Sequence, residues 1–484
     1  MTAPSSSSDG TYPSSDSDTE SSTTNYGHYD YPGEEPVYRE GSLTWAKSTL
    51  KDEDIITVTK DEGNEYTIFS LAPADPDGKG RLYELRTTFA TLLPQAFLDK
   101  HLFTTLPQHL LPPNTLHVLI STLSGTGLAP DFFDEVLHPL LKAVGLADPS
   151  YVVLRTKSTE SVKEFARSRL LAGANAGSEQ TVLMLSGDGG MVDTINGLLE
   201  EESRSRYVSH PSPYALANYS SNYVPPVLSQ LPLGTGNALF HSLHRPSPLP
   251  SIYIQGLRTL LHGTPKPLPI FKARFSPGAR LVTDEGQTAT ALSNNTLYGA
   301  VVASYGLHAT LVADSDTTEY RKHGDKRFGL VAKDLLFPEG GESPHAYKAD
   351  VALVKSGKDE VVGTQEHGYV LASLVSNLEK TFAISPASKP LDGQLRVLQF
   401  GPLGGEKTMD VMKGAYADGA HVEMDEVGYD AVEGLRINFL EEGTEWKWRR
   451  CCIDGLIVGV EEGGWMEVQV VPRGAEAVLV VSDV

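Results

Sequence analysis

Val182-Leu183-Met184-Leu185-Ser186-Gly187-Asp188-Gly189-Gly190 is the stretch whose reading decides the fold of this chain. Four apolar residues in succession suit a strand buried on both faces, and Met191, Ile195 and Leu198 then recur at helical spacing. The unit is a strand, a glycine turn and a helix. Glycines let backbone N–H groups approach a polyphosphate without a Cβ in the way, and a helix N-terminus offers unpaired donors at a positive dipole end. An acid inside such a turn repels phosphate unless it serves a metal or an attacking hydroxyl, which makes Asp188 the candidate catalytic residue. The pattern occurs twice more. His117–Ile120 precedes Ser124-Gly125-Thr126-Gly127 and a helix opened by Pro130, and Leu231 precedes Gly234-Thr235-Gly236-Asn237 and a second short helix pattern with Phe240 and Leu243. Buried strands joined by helices predict an α/β unit with a parallel sheet, whose ligands bind at the carboxyl ends of the strands.

Composition narrows the partners. The 484 residues carry a formal charge of -22, which argues against a general electrostatic grip on nucleic acid. No apolar run reaches the roughly 20 residues needed to cross a bilayer. Met1 to Gly10 has neither a basic patch nor an apolar segment, so a soluble, cytoplasmic protein is expected. The two cysteines, Cys451 and Cys452, are too few for a disulfide framework or a zinc site.

Residues 1–40, rich in Ser, Thr, Gly, Pro and acids, read as a disordered acidic tail, and residues 41–110 as a small β-rich module. Residues 112–246 are expected to form the α/β unit, interrupted by a surface insertion between Glu200 and Pro226. Residues 247–484 change to a period of two, as in Ile270–Phe275 and Val468–Val481, and predict a mainly β unit. Trp446-Lys447-Trp448-Arg449-Arg450 is a compact basic and aromatic cluster of the kind that suits a lipid headgroup interface. Alternation over Phe439–Ile453 also fits a strand with one exposed face, and the strand is the preferred reading.

Ser186 to Leu198 followed by Leu231 to Leu239 resembles the catalytic domain of the diacylglycerol kinase family, and most of all its sphingosine kinase branch, where SGDG and LPxG(S/T)GNAL stand in this order. Glu319 to Phe328 is similar to the family's YRxxGxxRF segment, and Asp392-Gly393-Gln394-Leu395 and Ile453-Asp454-Gly455 resemble its late landmarks. The resemblance runs from about Leu116 to the C-terminus. It implies an α/β + β fold of two lobes, an N-terminal α/β nucleotide lobe and a C-terminal β-sandwich that holds a lipid, with ATP and Mg2+ in the cleft between.

On that resemblance, nucleotide contacts are expected at Ser121, Ser124, Gly125 and Thr156, at Ser186, Gly187 and Gly189, and at Gly234, Thr235, Gly236 and Asn237. Arg321 and Arg327 match arginines that reach phosphate from the second lobe, and Asp454 matches a late contact. Asp188 is expected either to accept the hydroxyl proton or to help hold Mg2+, the base being favoured. Asp193, Thr310 and Asp314 are expected at the acceptor, with Asp316 an alternative to Asp314. The activity implied is phosphate transfer from ATP to a sphingoid base at a membrane surface, through peripheral association. Three departures keep other readings open. Ser121-Thr122 stands where the family's first loop begins with Asn-Pro, Leu456 where it usually has a Glu, and Thr310 where sphingosine kinases place an acid. Thr310 points to a neutral acceptor such as diacylglycerol or ceramide; Leu456 and Ser121 point to a catalytically weak scaffold.

Overall fold

Strand Gln180–Ser186 is buried along its whole length and pairs in parallel with Thr115–Ile120 on one side and Val227–Pro232 on the other. Tyr151–Arg155 extends the sheet beyond Thr115–Ile120, again in parallel. The computed structural model describes residues 35–45, 48–73, 83–122, 125–146, 148–200, 219–245, 249–474 and 476–483. The tail up to Glu34, Ser124 and most of the insertion, 201–218, lie outside them. The expected tail ends sooner than residue 40, because Val37–Arg39 pairs antiparallel with Ser42–Trp45.

The sheet has six strands and does not end at residue 246. Helix Ile252–His262 packs on Val227–Pro232, strand Thr264–Pro267 forms the far edge, and the last strand of the chain, Leu479–Ser482, returns to lie parallel to Val227–Pro232. The predicted boundary at 246/247 is therefore corrected: 252–267 and 479–482 belong with the α/β sheet. Local periodicity could not show this, since a strand's period is the same whichever sheet it joins.

The predicted module at 41–110 is two small sheets, Val37–Lys51 and Ile55–Ala90, and the second is not free-standing. Its Ile56, Phe69, Leu71 and Leu85 share one apolar cluster with Leu116, Val118, Phe132 and Leu257 of the α/β unit. Arg258 fastens the joint by donating from Nε to the Ile55 carbonyl at 2.8 Å and from Nη2 to the Asp52 carbonyl. Hydrogen bonds from a charged donor contribute about 1.5–3 kcal/mol each. Arg258→Ala is expected to lower stability by an amount of that order. Urea unfolding would measure the loss, and limited proteolysis should cut sooner within residues 35–110.

Between Phe271 and Val470 the chain builds two antiparallel sheets of seven and eight strands. Phe271, Val351, Ile437 and Val468 from one meet Tyr305, Val370 and Cys451 from the other in a single core, a sandwich filled by alternate residues of each strand. The α/β unit and the sandwich are joined by a further apolar cluster containing Val182, Ile195 and Leu239 from one and Tyr298, Val302 and Leu371 from the other. Helices Leu307–Ser315, Arg327–Leu336 and Gly405–Tyr416 lie within the second, otherwise β-rich, part.

Candidate active site

Parallel pairing brings four chain crossings to one edge of the sheet. Ser121, Thr156, Gly187 and Leu233-Gly234 each follow the last residue of a strand, and the pairs Ile120↔Leu185, Ile120↔Arg155 and Pro232↔Ser186 set them level. The two principal loops then touch backbone to backbone. A Cβ on Gly234 would sit 2.4 Å from Gly187 Cα, and one on Gly187 would sit 2.8 Å from Gly234 Cα. Both positions require glycine because of this approach. Gly125 reaches the same place from the first loop, where a Cβ would meet Thr235 Oγ1 at 2.5 Å. Gly189 faces open space, and Gly236 is half-buried with the Leu378 carbonyl nearby.

Several predicted ligand residues are committed to holding these loops. Asp188 opens helix Asp188–Leu199, and its carboxylate accepts the backbone N–H of Ala238 at 2.7 Å and of Leu239 at 3.0 Å, capping helix Ala238–Leu243. Burial pushes its pKa up, while the Leu239 and Ala238 amides pull it back. Asn237 adopts a left-handed conformation at φ 53° and folds its amide onto Gly234, accepting from the N–H and donating to the carbonyl, both at 3.0 Å. Thr156 is buried; its hydroxyl accepts the Thr122 N–H at 2.9 Å and its carbonyl accepts the Thr122 hydroxyl at 2.8 Å. That ties Ser121-Thr122 in place without the Asn-Pro the resemblance would supply.

Asp454, at φ 48°, does the same for the sandwich. Its carboxylate accepts the N–H groups of Ala300 at 2.6 Å, Val301 at 3.1 Å and Val302 at 2.6 Å. Burial raises its pKa to about 7 against the pull of these amides, and the Asp188 charge adds to the rise. Three such bonds also explain why an acid is needed there at all, since a buried amide N–H without a partner costs about 1–3 kcal/mol.

Between the α/β unit and the sandwich lies a cavity of about 1080 Å³. Gly189, Asp193, Arg321, Asp454 and Leu456 line it. Arg321 and Arg327 converge on one acid: Arg321 grips Asp316 with Nε at 3.0 Å and Nη2 at 2.6 Å, and Arg327 Nη1 stands 3.5 Å from it. The acceptor residues are placed less openly. Thr310 is buried and accepts the Tyr347 hydroxyl at 2.8 Å, and Asp314 accepts from the buried Arg450 at 2.8 Å.

The sequence reading missed Asn196. Its amide donates to the Tyr298 carbonyl at 2.8 Å and accepts the Tyr298 N–H at 3.0 Å, so the helix that carries Asp188 and Asp193 is pinned to the sandwich. The Asn196-Gly197 pair carried the signal: a Cβ on Gly197 would clash with Lys163 O at 2.5 Å, which marks a helix pressed against a neighbour. Trp446–Arg449 is a 3-10 turn and not the strand the alternation predicted, and of the cluster only Trp446 is exposed. Arg449 and Arg450 are buried, Arg449 donates to the Glu441 carbonyl at 2.7 Å, Trp448 stacks on His345 at 3.9 Å, and only Arg450–Ile453 is strand. Cys451 and Cys452 are both buried.

For Mg2+, the Asp188 oxygens are already taken by two amides, and no group of three or more His, Cys, Asp or Glu side chains among the described residues is arranged to hold a metal. The residues present do not fit a protein-built magnesium site at Asp188.

Residues 115–273 match the family model of the diacylglycerol kinase catalytic domain. That segment of the chain is similar to a diacylglycerol kinase catalytic domain. Sphingosine kinase 1 of Homo sapiens is 25% identical over 230 residues, covering 46% of this chain and 49% of that protein. Sphingosine kinase 1 of Arabidopsis thaliana is 23% identical over 272 residues, covering 53% and 47%. The chain thus spans about half the length of the curated relatives it matches. A diacylglycerol kinase structure from Bacillus anthracis str. Sterne aligns with a TM-score of 0.46 at 14% identity, covering 76% of this chain and 97% of that one. The matched segment contains both glycine loops, Asp188, Asp193 and Asn196; Arg321 and Asp454 line the cavity from beyond it.

Proposed function

We propose that this protein is an ATP-dependent lipid kinase that moves the terminal phosphate of ATP to a lipid hydroxyl, with a sphingoid base as the first acceptor. One observation carries the reading: two glycine loops pack backbone to backbone at the carboxyl edge of parallel strands, and Gly189 of one of them lines a cavity that Arg321 also lines. In this reading residues 112–246, with 252–267 and 479–482, hold ATP, and the sandwich holds the lipid. Ser121, Gly125, Thr156 and Ser186 to Gly189 meet the nucleotide from one side, and Gly234 to Asn237 from the other. Phosphoryl transfer gains mainly from positioning and charge neutralisation. Arg321 supplies the charge by turning from Asp316 to the terminal phosphate, with Arg327 and Asp454 behind it.

A second reading follows from the acceptor side. Thr310 has no charge and Asp314 is paired with Arg450, which leaves neither to meet an ammonium group and favours a neutral acceptor such as diacylglycerol or ceramide.

No helix among the described residues is long and apolar enough to cross a membrane. Access to lipid in this reading is peripheral, from the cytoplasmic face. Leu330 and Phe337 are exposed on and just after helix Arg327–Leu336, with Lys322, Lys326 and Lys333 close by in sequence. Apolar and cationic groups side by side suit an anionic bilayer surface.

Incubation with γ-labelled ATP, magnesium and a panel of sphingosine, diacylglycerol and ceramide tests all of this. Label in sphingosine phosphate supports the first reading and label in phosphatidate or ceramide phosphate the second. Label in no lipid, while a matched active kinase labels its own, overturns both.

A further inference from the structure

Strand Tyr151–Arg155 is the outer edge of the six-stranded sheet and, among the described residues, pairs only with Thr115–Ile120. The Thr156 N–H donates to the Ile120 carbonyl at 3.0 Å. Backbone direction alternates along a strand, so Val152 and Leu154 also turn their N–H and C=O groups inward, and Tyr151, Val153 and Arg155 turn theirs outward. No hydrogen bond reaches those outward groups among the described residues. Such an edge is a template for another strand, and proteins blunt it with Lys, with Pro or with a covering segment. Residues 151–154 contain neither a charge nor a proline. Nor is the strand covered: Val152 is 49% exposed and Val153 38%.

The charges stand at the two ends and are opposite in sign. Asp148 is exposed just before the strand and Lys157 just after it. Arg155, also exposed, is held by Asp134 at 2.8 Å. A second copy of the strand laid antiparallel sets the acidic end of each against the basic end of the other, whereas a parallel one sets like against like.

We infer that two copies of this chain pair edge to edge along Tyr151–Arg155, antiparallel about a two-fold axis, joining their sheets into one. The outward groups fix the register. Residues that face each other across the axis must exchange both N–H···O bonds, which only an outward residue can do. Centring on Val153 places that residue against its own counterpart and Tyr151 against Arg155 on either side, so every outward group of the strand is paired. The same register brings Asp148 beside Lys157 of the other copy. Because the axis turns the carboxyl edges of the two sheets away from each other, each candidate active site stays within its own chain. A strip of five residues is small beside the roughly 1,200–2,000 Å² of a lasting interface, so the pair forms and parts with concentration.

Amide exchange on the full chain reads the register. Raising the concentration from about 1 μM to about 100 μM should slow exchange at Tyr151, Val153 and Arg155 about tenfold or more and leave Val152 and Leu154, already bonded inward, nearly unchanged. Sedimentation over the same range should pass from one chain mass to two. Val153→Cys should crosslink to its counterpart under copper-catalysed air oxidation. Cα atoms of such a pair stand about 5.5 Å apart, within disulfide range, and the native Cys451 and Cys452 are buried. Val152→Cys, two residues out of register with its counterpart, should crosslink at least about tenfold less. Val153→Lys should remain at one chain mass at about 100 μM and keep the wild-type urea midpoint measured at about 1 μM. A wild-type chain still at one mass at about 100 μM leaves the edge to a strand of another protein and overturns self-pairing. Equal crosslinking of V153C and V152C, or a V153K chain that pairs as wild type does, overturns it as well. If V153K fails to fold, the comparison of V153C with V152C decides.

Discussion

Gly234→Ala is expected to reduce phosphate transfer at least about 100-fold, because a shift of about 1 Å at the reacting groups has that effect. The new methyl group would lie 2.4 Å from Gly187 Cα and 3.0 Å from Asn237 Oδ1, and neither obstacle is the end of a flexible side chain. The first is backbone; the second is held by two hydrogen bonds to Gly234 itself. Relief must therefore come from parting the two loops, and with them the helix N-termini that follow. Overpacking of this kind also costs about 1–3 kcal/mol of stability. Gly189→Ala is the matched control, since a Cβ there meets nothing within 4 Å. ATP affinity by calorimetry, kcat with the best lipid, and the unfolding midpoint should all be affected in G234A and nearly untouched in G189A. Normal ATP affinity in G234A would show that the loop contact does not shape the nucleotide site.

Asp188→Asn is expected to lose activity and stability together. The carboxylate gives one oxygen to each of two amides, and an amide side chain keeps only one acceptor while turning an N–H toward the other. A buried unpaired N–H costs about 1–3 kcal/mol, and loss of a cap typically about 1 kcal/mol, so a fall of about 2 kcal/mol in unfolding free energy is expected for D188N. D188A, with no acceptor at all, should fall further. Urea unfolding beside kcat separates the two roles the sequence left open. A base that only moves protons would change kcat and leave the midpoint in place, and that outcome would return Asp188 to the chemistry.

Both expectations rest on the same kind of fact. Where strands end, where a chain turns and where a helix begins are governed by neighbours within a few residues, through apolar periodicity and the freedom of glycine. Ser186–Gly190 and Gly234–Asn237 were therefore legible as two turns at the ends of buried strands, and Phe271–Phe275 as a strand of a β-rich part. Resemblance to the diacylglycerol kinase family rests on the same local stretches, and the family match falls across both loops.

Tertiary structure alone decided what the polar groups in those turns do. Asp188 is satisfied by amides 50 and 51 residues away and Asp454 by amides 152 to 154 residues away, distances over which no local pattern carries information. The same holds for Leu479–Ser482 returning to the first sheet, for Ile56 and Phe69 sharing its core, and for Arg449 and Arg450 turning inward. A buried donor or acceptor must find a partner wherever the fold brings one. Sequence thus determined that this chain has a glycine-lined edge at the ends of its parallel strands; packing decided that Asp188 would be spent on holding that edge together.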